Sequence, residues 1–323
     1  MTIMANYLGI DVGSITTKMV VMDERDEVIA STYLRNSGRP LEAIQQGLET
    51  LSVRLGKEIS IAGVGTTGSA RQLAAFLVGA DLIKNEITAH SIAVIDLFPN
   101  AKTIFEIGGQ DSKVIVLGNG AVADFAMNTV CAAGTGSFLD QQAARLGLSI
   151  EEFGNLALKA KHPVRIAGRC TVFAETDMIH KQQIGHSLED IIAGLCDSLV
   201  KNYLNNVCRS KEILSPIVFQ GGVAANEGIR KALEKELGTS LIIPEHFGLM
   251  GAIGAAKLVK RSKPTETKFK GFELSRKPCS TRGFDCDECE NQCEVVQLLV
   301  DQQVVACWGD LCERYQKSPD PIV

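Results

Sequence analysis

The sequence predicts an α/β protein of two similar lobes followed by a cysteine-rich C-terminal tail. Leu8–Val21 and Ile104–Val116 share one pattern at a constant offset of 95 residues, in which two apolar runs flank a glycine turn with small polar residues. Each copy is typical of a β-hairpin, and two such copies indicate duplicated lobes. Six of the ten cysteines crowd the last segment, which sets the tail apart.

The 323 residues are enough for two lobes and a tail. We predict a first lobe over 1–100, a second lobe over 101–260, and a linker and cysteine-rich tail over 261–323. A net charge of −5 without a long basic run argues against a nucleic-acid binder. No apolar stretch is long enough to span a bilayer, and Met1–Tyr7 does not resemble a signal peptide, so we expect a cytoplasmic protein with reduced thiols.

Helices and strands alternate after each hairpin, as judged from apolar periodicity. In the first lobe we expect a third strand, a helix, a short strand, a turn and a helix, at Glu27–Leu34, Leu41–Leu55, Ile59–Val64, Gly65–Gly68 and Ile87–Leu97. In the second lobe we expect a strand at Ala121–Met127, helices at Gly136–Leu146, Thr171–Gln183 and Leu188–Cys208, a strand at Pro216–Gln220, a helix at Asn226–Glu236, a strand at Leu241–Ile243 and a helix at Gly248–Lys260. The charged segment Lys260–Lys270 contains Pro264 and is typical of a linker.

The two hairpin turns carry the groups that a nucleoside triphosphate requires: backbone N–H donors, hydroxyls, positive charge and carboxylates that hold a metal. The predicted phosphate-binding residues are Gly13, Ser14, Ile15, Thr16, Thr17 and Lys18 in the first turn and Gly108, Gly109 and Gln110 in the second. Asp11, Glu106 and Asp111 are the predicted catalytic carboxylates, which can hold hydrated Mg²⁺ and orient a water. A single hairpin of this kind would also fit an ordinary glycine-rich turn, but the second copy makes that interpretation weaker.

A third glycine motif follows the strand predicted at Pro216–Gln220. Gly221 and Gly222 end this strand, and Asn226 precedes a helix, an arrangement against which an adenosine can lie. Gly251 belongs to a small-residue segment that suits close helix packing. Together with the hairpins, these motifs resemble the phosphate, adenosine and connecting motifs of the actin/sugar-kinase/Hsp70 superfamily, which has a ribonuclease H-like fold. That resemblance implies ATP or ADP binding in a cleft between lobes, but it does not fix the function.

Cys131 lies beside a small-residue turn that opens a predicted helix, and Cys170 stands at the start of another, in the segments NTVCAAGTGSFLD and GRCTVFAETDMI. A helix N-terminus stabilises an anionic thiolate, which suits a ligand of an iron–sulfur cluster. Two cysteines cannot complete a four-cysteine site, whereas a symmetric dimer would supply four. The residues alone also allow two buried structural thiols.

These segments, together with GIDVGS, IGGQDSK and FQGGVAANEGIRKAL, resemble the activators, or archerases, of 2-hydroxyacyl-CoA dehydratases. The ATPase subunits of benzoyl-CoA reductase and the ATP-dependent reductases of double-cubane-cluster proteins belong to the same family. The resemblance covers roughly residues 7–260. Many members of this family have aspartate at the position of Glu106, so the division of roles between Glu106 and Asp111 stays open.

The resemblance implies a homodimer with one [4Fe–4S] cluster shared between the subunits, with Cys131 and Cys170 as the ligands from each chain. It further implies that ferredoxin or flavodoxin supplies an electron, which ATP hydrolysis drives into a partner iron–sulfur enzyme of anaerobic metabolism. The partner would be a 2-hydroxyacyl-CoA dehydratase, an aryl-CoA reductase or a double-cubane-cluster protein. No membrane and no nucleic acid are expected among the partners.

The tail spacing C-x₂-C-x₃-C suits zinc or a cluster, so a second metal site is considered there. Its candidate ligands are Cys279, Cys286, Cys289, Cys293, Cys307 and Cys312. A flexible, reduced tail is the alternative. Cys196 and Cys208 fall in a helical stretch and are interpreted as packing thiols.

Two other functions fit the nucleotide-binding motifs. A small-molecule kinase, such as a relative of N-acetylglucosamine kinase, would use the same phosphate loops without Cys131 and Cys170. A non-enzymatic, nucleotide-dependent switch or assembly protein is the third hypothesis.

Overall fold

The computed structural model describes residues 5–56, 59–128, 131–312 and 314–315. Contacts between residues divide the chain into two compact units. One unit comprises Met1–Ala89 together with Gly251–Val323, and the other comprises His90–Met250.

The first unit is built on a five-stranded sheet with the order β3-β2-β1-β4-β5. β1, β2 and β3 form an antiparallel meander, and β4 and β5 join it in parallel. The elements of this sheet and its helices are β1 (Asn6–Val12), β2 (Thr16–Met22), β3 (Val28–Arg35), α1 (Pro40–Leu55), β4 (Ile61–Thr67), α2 (Arg71–Val78) and β5 (Leu82–Ile83), and they are followed by α3 (Glu86–Leu97), most of which belongs to the second unit. Leu8, Ile10 and Val12 of β1 are fully buried and pack with Ile44 and Leu48 of α1.

The second unit contains a five-stranded sheet and most of the helices. Its strands are β6 (Thr103–Ile107), β7 (Ser112–Gly118), β8 (Ala121–Asn128), β9 (Ile217–Gln220) and β10 (Leu241–Ile242). Its helices are α4 (Gly136–Arg145), α5 (Ile150–Ala157), α6 (Thr171–Gln183), α7 (Leu188–Asn206) and α8 (Glu227–Leu237), and α9 (Met250–Ser262) begins at its end. α7 is almost entirely buried and packs in a core with Phe105, Phe153 and Phe219.

The two sheets have the same topology, which confirms the duplication that the repeat predicts. Read from the meander, the second sheet runs β8-β7-β6-β9-β10, as the first runs β3-β2-β1-β4-β5. The matched positions are also equivalent in register, because Asp11 pairs with Lys18 across β1 and β2, and Glu106 pairs with Lys113 across β6 and β7.

Most predicted elements agree with the structure to within a few residues, but three predictions differ. Gly65–Thr67 belong to β4 rather than to a turn, because β4 continues in parallel pairing with β1 up to Asp11. Helix α5 was not expected, although Ser149 and Glu152 form a capping box at its start. The segment after α9 is not a free linker, since Lys268 N and Thr267 Oγ1 both donate hydrogen bonds to Asp81.

The tail is a folded part of the first unit. Its three strands, β11 (Cys279–Asp285), β12 (Glu294–Val300) and β13 (Gln303–Trp308), form an antiparallel sheet. Leu298 and Val300 are buried in the core of the first unit, and the ring of Trp308 stacks on Phe76 of α2 at 5.5 Å between centroids. The alternative of a flexible tail is therefore wrong for 279–308.

The unit boundaries fall within α3 and α9, whereas the sequence predicts boundaries at 100/101 and 260/261. α9 belongs largely to the first unit because it lies directly against β1 and β4. A Cβ built on Gly9 would lie 1.9 Å from the carbonyl oxygen of Ala252, and one built on Gly65 would lie 2.3 Å from that of Ala255. The small residues of α9 therefore allow contact between backbones.

Among the described residues, no helix combines the length and the apolar composition that crossing a membrane requires.

Candidate functional site

The first predicted carboxylate, Asp11, lies near the end of β1 and is 4% exposed. Its Oδ2 is 3.0 Å from Nζ of Lys18, its cross-strand partner on β2. The pairing of β1 with β2 thus places a carboxylate and an ammonium group side by side, next to the turn that joins these two strands. Such a pair presents both signs of charge to a metal–phosphate ligand.

The turn between β1 and β2 is held by a side chain that the sequence did not identify. Asn36, which is 4% exposed, accepts a hydrogen bond from Oγ1 of Thr17 at 2.7 Å and donates one to the carbonyl of Gly13 at 2.6 Å. Its backbone N–H donates to the carbonyl of Ile15 at 2.8 Å. These bonds fix the turn while Ser14 remains exposed for a ligand.

The second half of the predicted site contains a buried cluster of three charges. Nζ of Lys113 lies 2.8 Å from Oε2 of Glu106 and 2.9 Å from Oδ1 of Asp111. Lys113 and Glu106 are 1% and 5% exposed, whereas Asp111 is only partly buried. Ionic groups this deep need close partners, since desolvation costs each of them several kcal/mol, roughly. Lys113 therefore compensates two of the predicted catalytic carboxylates at once.

A glycine lies against the carboxylate in each half-site. A Cβ on Gly68, just after β4, would lie 2.6 Å from Oδ1 of Asp11, and a Cβ on Gly221, just after β9, would lie 2.7 Å from Oε1 of Glu106. Both glycines have positive φ angles, of 93° and 91°. Any other side chain at either position would be strained and would collide with the carboxylate. The sequence identified Gly221 but missed Gly68.

The second phosphate turn is bound by the N-terminus of α4. The carbonyl of Gly108 accepts a hydrogen bond from the N–H of Gly136 at 2.8 Å. The carbonyl of Gly109 accepts from the N–H of Ser137 at 2.7 Å and from its hydroxyl at 2.6 Å. Gln110 at the tip is exposed. The turn is thus connected by hydrogen bonds to the segment that follows Cys131.

Three predicted residues of the adenosine and connecting motifs lie in different settings. Gly222 is exposed, whereas Asn226 is buried and caps α8 by accepting a hydrogen bond from the N–H of Ile229 at 3.0 Å. Gly251 lies buried at the second position of α9, in the first unit. Asn226 therefore has a structural function that is independent of any nucleotide.

Several buried polar atoms on strands that pair with β1 and β6 lack a hydrogen-bond partner among the described residues. They are the hydroxyls of Thr66 and Thr67 in β4, the hydroxyl of Ser112 in β7 and Oε1 of Gln220 in β9. Of these residues, Thr67 pairs with Asp11, and Gln220 pairs with Glu106. Because buried polar groups are normally satisfied, the unpaired atoms of these two strand partners fit a site that a polar ligand completes.

Cys131 and Cys170 both lie in the second unit, and neither is a core residue. Cys170 is exposed at the N-cap of α6, and Cys131 is partly buried at the N-cap of a short 3₁₀ turn, Ala132–Gly134, that leads into α4. Asn128 binds both the N–H and the carbonyl of Cys131, at 3.0 and 2.7 Å. Thr129 and Val130 of the same motif lie outside the described residues.

Cys196 and Cys208 differ from Cys131 and Cys170 in burial, because both lie in the core of the second unit. Burial raises the pKa of the Cys196 thiol well above its ordinary value and that of Cys208 to about 12. These thiols remain protonated at neutral pH, as the interpretation of packing thiols requires.

The six tail cysteines are spread over the three-stranded sheet. Cys279 and Cys307 lie within β11 and β13, whereas Cys286 and Cys293 close the β11–β12 hairpin through a backbone hydrogen bond of 2.8 Å. Cys289 is in the loop of this hairpin and Cys312 follows β13. Within the part of the chain that the structure describes, no three His, Cys, Asp or Glu side chains are gathered closely enough to bind a metal ion. A tail metal site therefore stays a prediction.

Lys113, Gly68 and Asn36 are the site residues that the sequence did not single out. Lys113 had a signal, because it matches Lys18 in the 95-residue repeat. Gly68 is the counterpart of Gly221 at the end of the equivalent strand, which becomes visible only when the two sheets are compared. Asn36 follows β3 and offered no sequence signal.

The profile of the BadF/BadG/BcrA/BcrD ATPase family matches residues 8–259. The 2-hydroxyisocaproyl-CoA dehydratase activator of Clostridioides difficile is 35% identical over 256 residues, which are 77% of this chain and 92% of that protein. The (R)-2-hydroxyglutaryl-CoA dehydratase activating ATPase of Acidaminococcus fermentans is 34% identical over 252 residues, covering 77% and 95%. A solved structure of the Clostridium difficile activator with bound ADPNP superposes with a TM-score of 0.74 and covers 80% of this chain and 95% of that one.

Proposed function

The chain belongs to the BadF/BadG/BcrA/BcrD ATPase family, and on that premise we propose that it hydrolyses ATP to drive an electron into a partner metalloenzyme through an iron–sulfur cluster. The observation that carries the proposal is the hydrogen bonding of the Gly108–Gly109 turn to the start of α4, directly after the Cys131 segment. The predicted phosphate turn is thereby hydrogen-bonded to Gly136 and Ser137, which follow a candidate cluster ligand, Cys131, closely in the chain.

The residues of both half-sites fit nucleotide phosphates and Mg²⁺. We propose that Gly13–Lys18 and Gly108–Gln110 each bind phosphate through backbone N–H groups, with hydroxyls and Lys18 adding to the first set. Asp11, Glu106 and Asp111 are oxygen donors of the kind that hydrated Mg²⁺ prefers. The unsatisfied hydroxyls of Thr67 and Ser112 beside them support this assignment.

The carboxylates would act on water as well as on the metal. Asp11 is held by Lys18, and Glu106 by Lys113, so that the orientation of each carboxylate is fixed. A fixed, ionised carboxylate can accept a hydrogen bond from an attacking water and align it with the γ-phosphate. Asp111, which is more exposed than Glu106, is the carboxylate better placed to contact hydrated metal.

The two accessible thiols fit a [4Fe–4S] cluster better than any other cysteines of the second unit. Cys170 stands at the N-cap of α6, whose N-terminal dipole favours anionic sulfur, and Cys131 is partly accessible beside a 3₁₀ turn, whereas Cys196 and Cys208 are buried and protonated. Such a cluster, once bound, supplies one-electron chemistry at low potential. Two thiols in each chain would make a four-cysteine site only in a homodimer.

The surface next to Cys170 supports a dimer. Val172 and Phe173, in the first turn of α6, are 65% and 62% exposed, and Ile179 and Ile184 along the same segment are 40% and 55% exposed. Four large apolar side chains exposed along one helical segment are unfavourable in water and are typical of an association surface. A second copy of the chain that covers this surface would bring its own Cys131 and Cys170 towards Cys170 of the first copy.

The partner class follows from the relatives and is itself a proposal. Both relatives described above are named as activators of 2-hydroxyacyl-CoA dehydratases. We propose a dehydratase of that class as the electron acceptor, with ferredoxin or flavodoxin as the donor. The aryl-CoA reductases and double-cubane-cluster proteins are the alternatives that a reconstitution assay would separate.

The test is anaerobic purification with iron and sulfide counts, an EPR spectrum after dithionite reduction and a particle mass. We expect about four irons per dimer. Cys131→Ser and Cys170→Ser should each lose this iron and keep the fold, while Cys196→Ala, the matched control, should keep the iron. A protein that stays colourless after anaerobic reconstitution, or a Cys170→Ser variant with full iron, would overturn the proposal.

A further inference from the structure

Helix α7 contacts both cysteine-bearing segments at one residue, Asn202. This side chain is 1% exposed and lies in the last turns of the helix. Its Nδ2 donates a hydrogen bond of 2.6 Å to the carbonyl of Arg169, the residue before Cys170. A Cβ built on Gly134, in the 3₁₀ turn after Cys131, would lie 3.0 Å from its Oδ1. One buried amide therefore lies against both segments.

The contact at Gly134 is unusual because Oδ1 of Asn202 is buried and has no hydrogen-bond partner among the described residues. An unsatisfied buried oxygen is costly, so packing alone would favour an apolar residue at this position. Gly134 is itself buried, and a Cβ at this position would crowd Oδ1, so glycine favours the close approach of the two. The buried amide is thus present, at a cost, where it lies against both segments.

The neighbours of Asn202 on α7 bind this helix both to the Cys170 segment and to β7. One turn earlier, the hydroxyl of Ser198 donates to the carbonyl of Ala167 at 2.7 Å, which ties the Cys170 segment a second time. Tyr203, the next residue, is fully buried, and its hydroxyl donates to the carbonyl of Lys113 at 2.8 Å. The helix is therefore anchored to β7 directly beside the contacts to the cysteine segments.

We propose that Asn202 is a positioning residue that sets the separation of Cys131 and Cys170 by joining both segments to α7. The inference rests on the proposed function only in assigning a cluster to these thiols, since the joining of the two segments is independent of any metal. Asn202 does not touch the sulfur atoms and acts through Arg169 and Gly134. Ser198 joins α7 to the Cys170 segment alone, which makes Ser198→Ala the matched control.

The metal-independent test is hydrogen exchange of the apo-protein, compared among the wild type, Asn202→Ala and Ser198→Ala. We expect Asn202→Ala to accelerate exchange about three- to tenfold in both 131–136 and 168–174, as the loss of one buried contact allows. Ser198→Ala should accelerate exchange in 165–174 only. If Asn202→Ala leaves 131–136 at the wild-type rate, the proposal is overturned.

Asn202→Leu provides a second variant in case the alanine variant does not fold. It keeps the volume of the side chain and its packing on Gly134 and buries no unpaired polar atom, but it removes the donor to the carbonyl of Arg169. We expect it to loosen 168–174 and to leave 131–136 protected. Faster exchange in both segments, or in neither, would contradict the assignment of the hydrogen bond to one segment and the packing contact to the other.

The second readout is the iron-loaded protein. With wild-type cluster content established, Asn202→Ala should retain iron but show a changed EPR line shape and midpoint potential, because ligand spacing tunes both. Ser198→Ala should change them less. If the wild type binds no cluster, the proposed function fails, while the exchange data still decide the positioning by Asn202. An unchanged spectrum and potential in a fully loaded Asn202→Ala protein would count against the inference.

Discussion

Glu106 and Lys113 face each other across β6 and β7 with 2.8 Å between Oε2 and Nζ, and both are almost completely buried. Asp11 and Lys18 stand in the same relation across β1 and β2, at 3.0 Å. The two pairs differ in depth, since the side chain of Lys18 is 16% exposed and that of Lys113 only 2%. The carboxylate–lysine pair is thus present in both copies of the repeat. In the second copy the pair is more deeply buried, and a further carboxylate, Asp111, contacts the lysine.

Replacement of Lys113 should cost more stability than replacement of Lys18. Lys113→Met would leave Glu106 buried and near Asp111 without this compensating charge, which costs about 3–5 kcal/mol. Lys18→Met, the matched variant, also removes a partner from a buried carboxylate, but solvent reaches this pair more easily, so it should cost less, about 1–3 kcal/mol. Urea unfolding monitored by circular dichroism measures both. Equal losses would show that burial does not distinguish the two pairs.

ATP hydrolysis should depend on the two duplicated carboxylates. We expect Asp11→Asn and Glu106→Gln each to lower kcat by roughly 10²-fold or more, because each removes a charge that would orient water or metal. Nucleotide binding, followed by fluorescence of a labelled ATP analogue, should persist. Glu42→Gln, on the exposed face of α1, is the control and should keep the full rate. Full activity in either carboxylate variant would remove that residue from the catalytic set.

The exposed apolar surface of α6 should control oligomeric state. Phe173→Glu places a charge in the proposed dimer contact and should shift the particle mass to that of a monomer. Iron content should fall with it, although both cysteines are intact. Val53→Glu is the matched control, since Val53 is 79% exposed on α1 of the first unit. A dimeric Phe173→Glu protein would place the contact elsewhere.

Truncation after Ser262 should destabilise the first unit. It would expose the surface that Leu298, Val300 and Trp308 cover, at a cost of at least about 3 kcal/mol. Thermal unfolding measures this loss of stability. If the tail did not pack on the first unit, its removal would leave the melting temperature unchanged.

The predicted tail metal site needs a test that leaves this packing intact. A full-length protein with serine at Cys286, Cys289, Cys293 and Cys312 serves that purpose. If the tail binds metal, this variant should lose zinc or iron beyond the amount that Cys131 and Cys170 account for. Equal metal content in the variant and the wild type would remove the tail site.

The duplicated architecture and most of the candidate residues could be predicted from the sequence. The 95-residue repeat matched Asp11 to Glu106 and predicted two hairpins, because alternating burial and glycine turns are local properties of the chain. The position of Cys170 at the start of the helix Thr171–Gln183 also followed from local pattern. Cys131 lies beside a small-residue turn, as predicted, and the structure shows this turn as a 3₁₀ turn ahead of α4.

The residues that contact these motifs from distant parts of the chain could be identified only in the folded structure. Asn36 reaches the first turn from beyond β3, Gly68 reaches Asp11 from the end of β4, and Asn202 reaches the two cysteine segments from α7. The tail was predicted from its cysteines alone, and its packing on α2 depends on Trp308 and Phe76, which are far apart in the chain. Such contacts are set by how strands pair and helices pack, and no local spacing in the sequence encodes them.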